Sequence, residues 1–468
     1  MPLRLLDFNV RRLDIATRMP FKYGIAVMTD LPHVLVTVRA LIGGAEATGQ
    51  SADHLPPKWF TKEPGTSPQE DIAGMEAVLA EALEAAKDIV ADSPFEFWME
   101  LHNQLMSPPR HPPLLQHFGI SLVERALLDA FCQHHGQPLW QLVRSNALGI
   151  DLGRLSPELT GYAPADFLPE RPLESAQLRH TVGMADFLRE AVIGPEERLD
   201  DGLPQSLEAC IDFYGLREFK LKLTGNAGAD LDRLRGIADV IHRKLQGDYR
   251  FSLDGNEQFS TPGQLRSFGE EVYADPKLNA FFEHLFFIEQ PIHRKAALAD
   301  DAPDVSAAWP CPVPIIIDES DGDLNAFPRA LELGYAGVSH KNCKGVFKGI
   351  RNRCLVGYHQ SRHPDRQLLM TGEDLANIGP IALLQDLAVQ ALLGNTSIER
   401  NGHHYFKGLG MFPQEVSRKM LDQHPDLYRP GPDQTAFLRV ESGRLSLHSV
   451  NAAPFGTSCR VPDSAGPG

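Results

Sequence analysis

Residues 217–225 read REFKLKLTG and residues 249–257 read YRFSLDGNE. In the first, Phe219, Leu221 and Leu223 alternate with Lys220 and Lys222. In the second, Phe251 and Leu253 alternate with Ser252 and Asp254. Successive side chains of a strand point to opposite faces, so each segment predicts a strand with one apolar and one polar face. The form recurs as LFFIEQP (285–291), PIIIDES (314–320), GVSHKN (337–342), LLMTGED (368–374) and SIERNG (397–402). Helix-like segments follow these runs, most clearly 230–245 and 381–393. Strands alternating with helices predict parallel βα units. At about 31 residues per unit, the stretch 178–410 is close to the length of an eight-stranded barrel.

Lys222, Asp254, Glu289, Asp318, Lys341, Glu373 and His403 stand near the ends of these runs, at intervals of 32, 35, 29, 23, 32 and 30 residues. Strand ends of such a barrel converge on its C-terminal mouth, where chemistry sits. Charges pointing into a barrel are costly unless paired or bound to metal. Asp254, Glu289 and Asp318 on consecutive strands make a hard oxygen donor set, suited to Mg²⁺ or Mn²⁺ rather than zinc. Lys220 and Lys222 lie on one strand face, about 6.6 Å apart. Like charge and burial are expected to lower the pKa of one of them, giving a general base. Any one of these residues alone reads as solvated surface, and Asn256 and Ser320 read equally well as helix caps. The joint spacing and parity carry the site.

Upstream, HVLVTVRAL (33–41) alternates as a strand and Gly43-Gly44 follows as a hairpin turn. Ser67, Pro68 and Glu70 form a capping-box start. Ile72, Met75, Leu79, Leu83, Ala86 and Val90 then recur at helical spacing. A second long helix is expected over about 114–133. Stretches 155–175 and 190–206 are rich in Pro, Glu and Asp and read as loops or insertions. FLRVESGRLSLHSV (437–450) returns to a strand pattern and is expected to pair back onto the N-terminal sheet. The Gly/Pro/Ser-rich tail beyond is expected to be disordered. The predicted division is an α+β unit over 1–145, completed by about 415–456, a barrel over 146–414, and a tail over 457–468.

The 468 residues carry a formal charge of −16. That argues against nucleic acid and against a polybasic membrane contact. No apolar stretch reaches 18 residues, and the N-terminus shows no secretory h-region. The six cysteines are scattered without a CxxC pair, a reduced cytoplasmic pattern that predicts neither a disulfide framework nor a zinc site. No GxGxxG or GxxxxGK[ST] follows a strand, so a dinucleotide cofactor is not expected.

KLK (220–222), SLDGNE (252–257), FIEQP (287–291), IIIDES (315–320) and HKNCKG (340–345), with MPFKYG (19–24) and ERALLDAFCQHHGQPLWQL (124–142), resemble the enolase superfamily on its muconate-lactonising and mandelate-racemase-like side. The resemblance spans about 1–456. It implies an α/β architecture: a (β/α)7β TIM-type barrel under an α+β N-terminal capping domain. It implies Asp254, Glu289 and Asp318 as Mg²⁺ ligands, Lys222 as the base with Lys220 tuning it, and Lys341 on the opposite face. It implies abstraction of a proton α to a carboxylate through an enediolate, a small carboxylate substrate and a homo-oligomer. Met19 to Gly24, with Lys22 and Tyr23, resembles the substrate-facing loop, and Asp53 to Phe60 is expected to help close the mouth. TGED at the seventh strand lacks a histidine, against a His–Asp dyad; Glu373 is left to meet the substrate or to be an ordinary loop acid. At the eighth strand His403 and His404 stand where dipeptide epimerases carry aspartates, and either lines the pocket or packs elsewhere. Lys344, His340 and Cys343 are further candidates.

Two facing lysines suit racemisation or epimerisation. They equally suit syn elimination, as in an acid-sugar dehydratase or a cycloisomerase. A non-catalytic metal-binding barrel is the reading from a different class.

Overall fold

The computed structural model describes residues 2–23 and 26–462. The chain opens with β1 (Leu3–Tyr23) and β2 (Ala26–Ile42), a long antiparallel hairpin. β3 (Ala45–His54) follows through a turn in which Gly43 and Gly44 take φ of 60° and 92°. Positive φ at both central residues is what a two-residue hairpin turn requires. β4 (Val90–Ala91) completes the order β3-β2-β1-β4.

Three helices cover this sheet: α1 (Pro68–Ala86), α2 (Pro94–Met106) and α3 (Pro113–His135). The expected capping box starts α1, with Glu70 N donating to Ser67 Oγ and Ser67 N to the Glu70 carboxylate. α3 crosses β3 at Gly49, where a Cβ would stand 2.1 Å from the Ala126 carbonyl oxygen. Gly49→Ala is therefore expected to cost about 3 kcal/mol in a denaturant melt, the upper end for an overpacked contact between backbones.

The barrel has eight parallel strands: β5 (Ser175–Val182), β6 (Glu218–Lys222), β7 (Arg250–Asp254), β8 (Leu285–Glu289), β9 (Ile315–Ile317), β10 (Gly337–His340), β11 (Leu369–Gly372) and β12 (Ser397–Arg400). β12 pairs with β5 and closes it. Phe219, Leu221, Phe251, Leu253, Ile315 and Ile317 are buried, and their strand neighbours of opposite parity point inward. Among the described residues, no helix is long and apolar enough to cross a membrane.

The C-terminal stretch departs from expectation. It forms a separate hairpin, β13 (Tyr428–Pro430) with β14 (Ala436–Leu438), and then lays β15 (Arg444–Ser446) antiparallel along β5, not along the N-terminal sheet. The reason is register. β6 pairs with β5 only from Arg179 onward, so the backbone of 175–177 is left open on that side and β15 takes it. The tail also differs over 457–462: Val461 N and O both bond the Gln50 amide, at 3.1 and 3.0 Å, and Cys459 and Val461 are buried. The expected disorder of 463–468 lies outside the described residues.

Two buried links seat the cap on the barrel mouth. Glu124 on α3 accepts from the backbone N–H groups of Val346 and Phe347, at 3.1 and 2.7 Å, at the start of helix Val346–Arg362. Asp53 at the end of β3 accepts from Arg125 and from Asn377, each at 2.9 Å. The 190–206 insertion supplies a third link. Asp201 pairs with Arg18 at 2.5 Å, and Arg18 also donates to the Pro204 and His404 carbonyls.

Candidate active site

Register sets the first ring of charges. Lys222 lies opposite Asp254, and Asp254 opposite Glu289. Asp318 follows β9 directly, and Lys341 follows β10. Lys222 Nζ is 2.8 Å from Asp254 Oδ2; Lys341 Nζ is 2.5 Å from Asp318 Oδ2 and 4.0 Å from Glu289 Oε1. β6 and β10 are four strands apart in an eight-stranded ring, so the two lysines rise from opposite walls. Both line one mouth cavity with Asp254 and Asp318.

Lys220 is enclosed by acids. Its Nζ sits among Glu289 (2.7 Å), Glu373 (2.7 Å), Glu399 (3.0 Å) and Asp254 (3.1 Å). Burial alone would lower its pKa, but these four carboxylates outweigh burial and hold it well above the usual lysine range. It is a fixed cation beneath the cavity, not a lysine discharged by its neighbour. Of the two lysines, Lys220 is not the one discharged; the four acids that face it arrive from other strands, which the Lys-x-Lys spacing does not show.

Glu373 is fully buried between Arg179 and Lys220. Burial first, against the pull of Arg179 and Lys220, raises its carboxyl to about 7. The acids that line the cavity from the seventh and eighth strand ends are Asp374 and Glu399. Glu399 was legible from parity, because Ser397 and Glu399 alternate with Ile398; attention went past it to the histidines. His403 turns away, bonded to His180 at 3.2 Å, and lines a different cavity. His404 lies 3.6 Å from Cys210. Neither histidine lines the mouth cavity.

Asn256 lines the cavity, with Oδ1 3.4 Å from Lys222 Nζ. Helix Pro262–Ala274 is capped by Thr261 instead. From the cap, Tyr23 faces the cavity while Lys22 is exposed on the other face of β1; strand alternation makes Phe21 the second inward residue. Gly24, at the end of the MPFKYG stretch, lies outside the described residues. Trp59 of the expected lid places its ring 5.0 Å from Lys341 Nζ. Arg294 holds that lid, donating to the Trp59 and Phe60 carbonyls while pairing with Glu257. Lys344 donates to Asp318 O and to Ser339 O, at 2.8 and 2.9 Å, and its Nζ is 2.7 Å from Asp318 Oδ1, so it orients that acid. His340 and Cys343 are buried and do not line the cavity.

No protein-family model and no curated protein matches the sequence. Solved structures match along nearly the whole chain. A mandelate racemase/muconate lactonizing protein from Herpetosiphon aurantiacus aligns at TM-score 0.60 and 15% identity, covering 97% of this chain and 98% of that one. Muconate lactonizing enzyme from Pseudomonas fluorescens, complexed with muconolactone, aligns at 0.60 and 16%, covering 98% and 97%. Dipeptide epimerase from Enterococcus faecalis, complexed with Mg and L-Leu-L-Tyr, aligns at 0.58 and 15%, covering 97% and 99%. The chain shares the fold of these structures.

On this fold, the chain's own residues suit a hard divalent cation. Asp254, Glu289 and Asp318 offer only oxygen. Both Glu289 carboxylate oxygens are buried without a hydrogen-bond partner. Burial, with Glu373 close by, pushes the Glu289 carboxyl well above the usual range. Oε2 is ion-paired with Lys220 Nζ at 2.7 Å, but Oε1 has nothing nearer than Lys341 Nζ at 4.0 Å; a buried carboxylate oxygen left so is costly, and a cation shared with Asp254 and Asp318 would satisfy it.

Proposed function

We propose that the chain is an enzyme that removes the proton α to a carboxylate, with Mg²⁺ held by Asp254, Glu289 and Asp318, and that it racemises or epimerises a small carboxylic acid. The observation that carries this reading is the pair Lys222 and Lys341, on opposite walls of one cavity beside three convergent acids. Mg²⁺ in that set supplies positive charge where the reacting carboxylate gathers negative charge. Lys222 takes the proton from one face. Lys341, beside Asp318 and Glu289, stands on the other face and returns a proton there, the two lysines exchanging roles for the opposite antipode. Phe21, Tyr23 and Trp59 give the cavity an apolar side, and water kept from that side of a bound substrate strengthens each of these charge interactions.

The structural neighbour holding Mg and a dipeptide, and an enolase from Bradyrhizobium complexed with magnesium and mandelic acid, support a carboxylate substrate and a metal. The muconolactone-bound neighbour supports a second reading, syn elimination or cycloisomerisation by the same lysines.

The test is incubation with Mg²⁺ in D₂O against α-hydroxy, α-amino, N-acyl-amino and sugar acids, followed by NMR and mass. Deuterium at the α-carbon with otherwise unchanged mass indicates epimerisation; loss of water indicates dehydration. No exchange with any acid, together with tight Mg²⁺ binding, would leave the non-catalytic barrel. Asp254→Asn is expected to weaken Mg²⁺ binding, measured by calorimetry, by more than the about 10- to 100-fold typical of losing an outer partner of a ligand, because it removes the charge of a direct ligand.

A further inference from the structure

We propose that His180, Cys210 and His404 form a second metal site, separate from the carboxylate cluster, and that its ion is Zn²⁺. The three residues come from β5, from helix Leu207–Tyr214 and from helix Gly402–Tyr405. All are buried, and their ligand atoms lie within 4.8 Å of one another. The spacing rule for cysteines looks for local pairs, so a site built from three distant segments is invisible to it.

The Cys210–His404 separation suits zinc. Cys210 Sγ is 3.6 Å from His404 Nδ1. Sulfur and nitrogen on adjacent corners of a zinc tetrahedron, at about 2.3 and 2.05 Å from the ion, stand about 3.6 Å apart.

The outer groups fit as well. Metal-bound histidines characteristically turn their second nitrogen to a supporting partner. His404 Nε2 faces Asp186 Oδ2 at 3.8 Å, and Asp186 is itself fixed by Tyr405 Oη at 2.7 Å and by Gly183 N at 2.7 Å. His180 Nδ1 is 3.2 Å from His403 Nε2, which leaves Nε2 as the nitrogen for an ion. Thiolate and imidazole select zinc over magnesium, while the carboxylate set does the reverse. The two sites therefore sort their metals by donor chemistry. Ligation displaces the thiol proton into solvent.

An ion here would join the first barrel strand to the segment leaving the last one. It would clamp the β12–β5 seam, where the barrel closes.

The test uses the full chain, stripped with chelator and titrated with Co²⁺ under saturating Mg²⁺. The expected result is one Co²⁺ per chain with a thiolate-to-cobalt charge-transfer band and tetrahedral visible bands, both bleached by Zn²⁺. The band is expected to vanish in Cys210→Ser, to weaken in His404→Gln, and to persist in Cys343→Ser and Asp254→Asn. Zn²⁺ is expected to raise the melting temperature of the parent but not of Cys210→Ser. The parent alone can overturn the proposal, by giving no charge-transfer band under excess Co²⁺. A band that survives Cys210→Ser also overturns it, and would place the cobalt on another thiol such as the exposed Cys311.

Discussion

Lys341→Ala is expected to lower turnover by about 10²–10⁴-fold, the usual worth of a positioned proton-transfer group, while leaving α-proton exchange intact for one antipode only. The expectation follows from the barrel. Lys222 and Lys341 rise from strands four apart in a ring of eight and face one cavity, so a bound α-carbon meets one lysine on each face. With Lys341 gone, Lys222 still removes and returns the proton on its own side. That antipode exchanges deuterium without inverting, and the other does neither. Lys222→Ala should give the mirror-image pattern. The measurement is ¹H NMR of each separate antipode in D₂O with parent and variants. A syn eliminase behaves differently, because both events occur on one face: one lysine variant loses all exchange and product, and the other keeps exchange of the same antipode. If both variants exchange both antipodes at the parent rate, the lysines are not the proton-transfer pair.

The barrel and its charged ladder were legible because parallel strands repeat a simple parity. Phe219 and Leu221 are buried while Lys220 and Lys222 point inward, and register then aligns Lys222, Asp254 and Glu289 without further information. What the sequence hid were consequences of closure. β15 pairs with β5 because β6 starts late on it, and no local pattern encodes where a neighbouring strand begins. Lys22 faces outward and Phe21 inward because the β1–β2 pairing, irregular between Ala16 and Phe21, resumes at Phe21 and alternates from there to Tyr23, and the sequence does not show where a register shift falls. His403 and His404 follow β12 into a short helix that turns them behind the wall, so the cavity acid on that strand is Glu399. The role of Lys220 depends on Glu373 and Glu399 arriving across the barrel from β11 and β12, and spacing along the chain cannot show that.

Lys220 therefore gives the second large effect, and it is on stability. Lys220→Ala is expected to destabilise the fold by about 3–5 kcal/mol in a denaturant melt at neutral pH, the cost of removing one partner from buried charges. Here the partners left behind are Asp254, Glu289, Glu373 and Glu399, all buried. The deficit should shrink on acidification. Glu373 is raised to about 7 by burial even with Lys220 and Arg179 pulling it down, so losing Lys220 raises it further. A carboxyl whose folded pKa lies above its unfolded value near 4.5 adds stability that is fully present below that value and lost as pH rises through the folded pKa. The variant should thus recover relative to the parent as pH falls towards 7 from above, because below about 7 Glu373 takes up its proton in both proteins and the two gain stability alike. The rival role, Lys220 tuning Lys222 by repulsion, predicts the opposite division of effects: a variant that melts like the parent at every pH but whose rate profile shifts to higher pH, because the base beside it has regained its proton affinity. The two are separated by one set of melts and one pH–rate profile, and the four carboxylates within about 3 Å of a single ammonium favour the first.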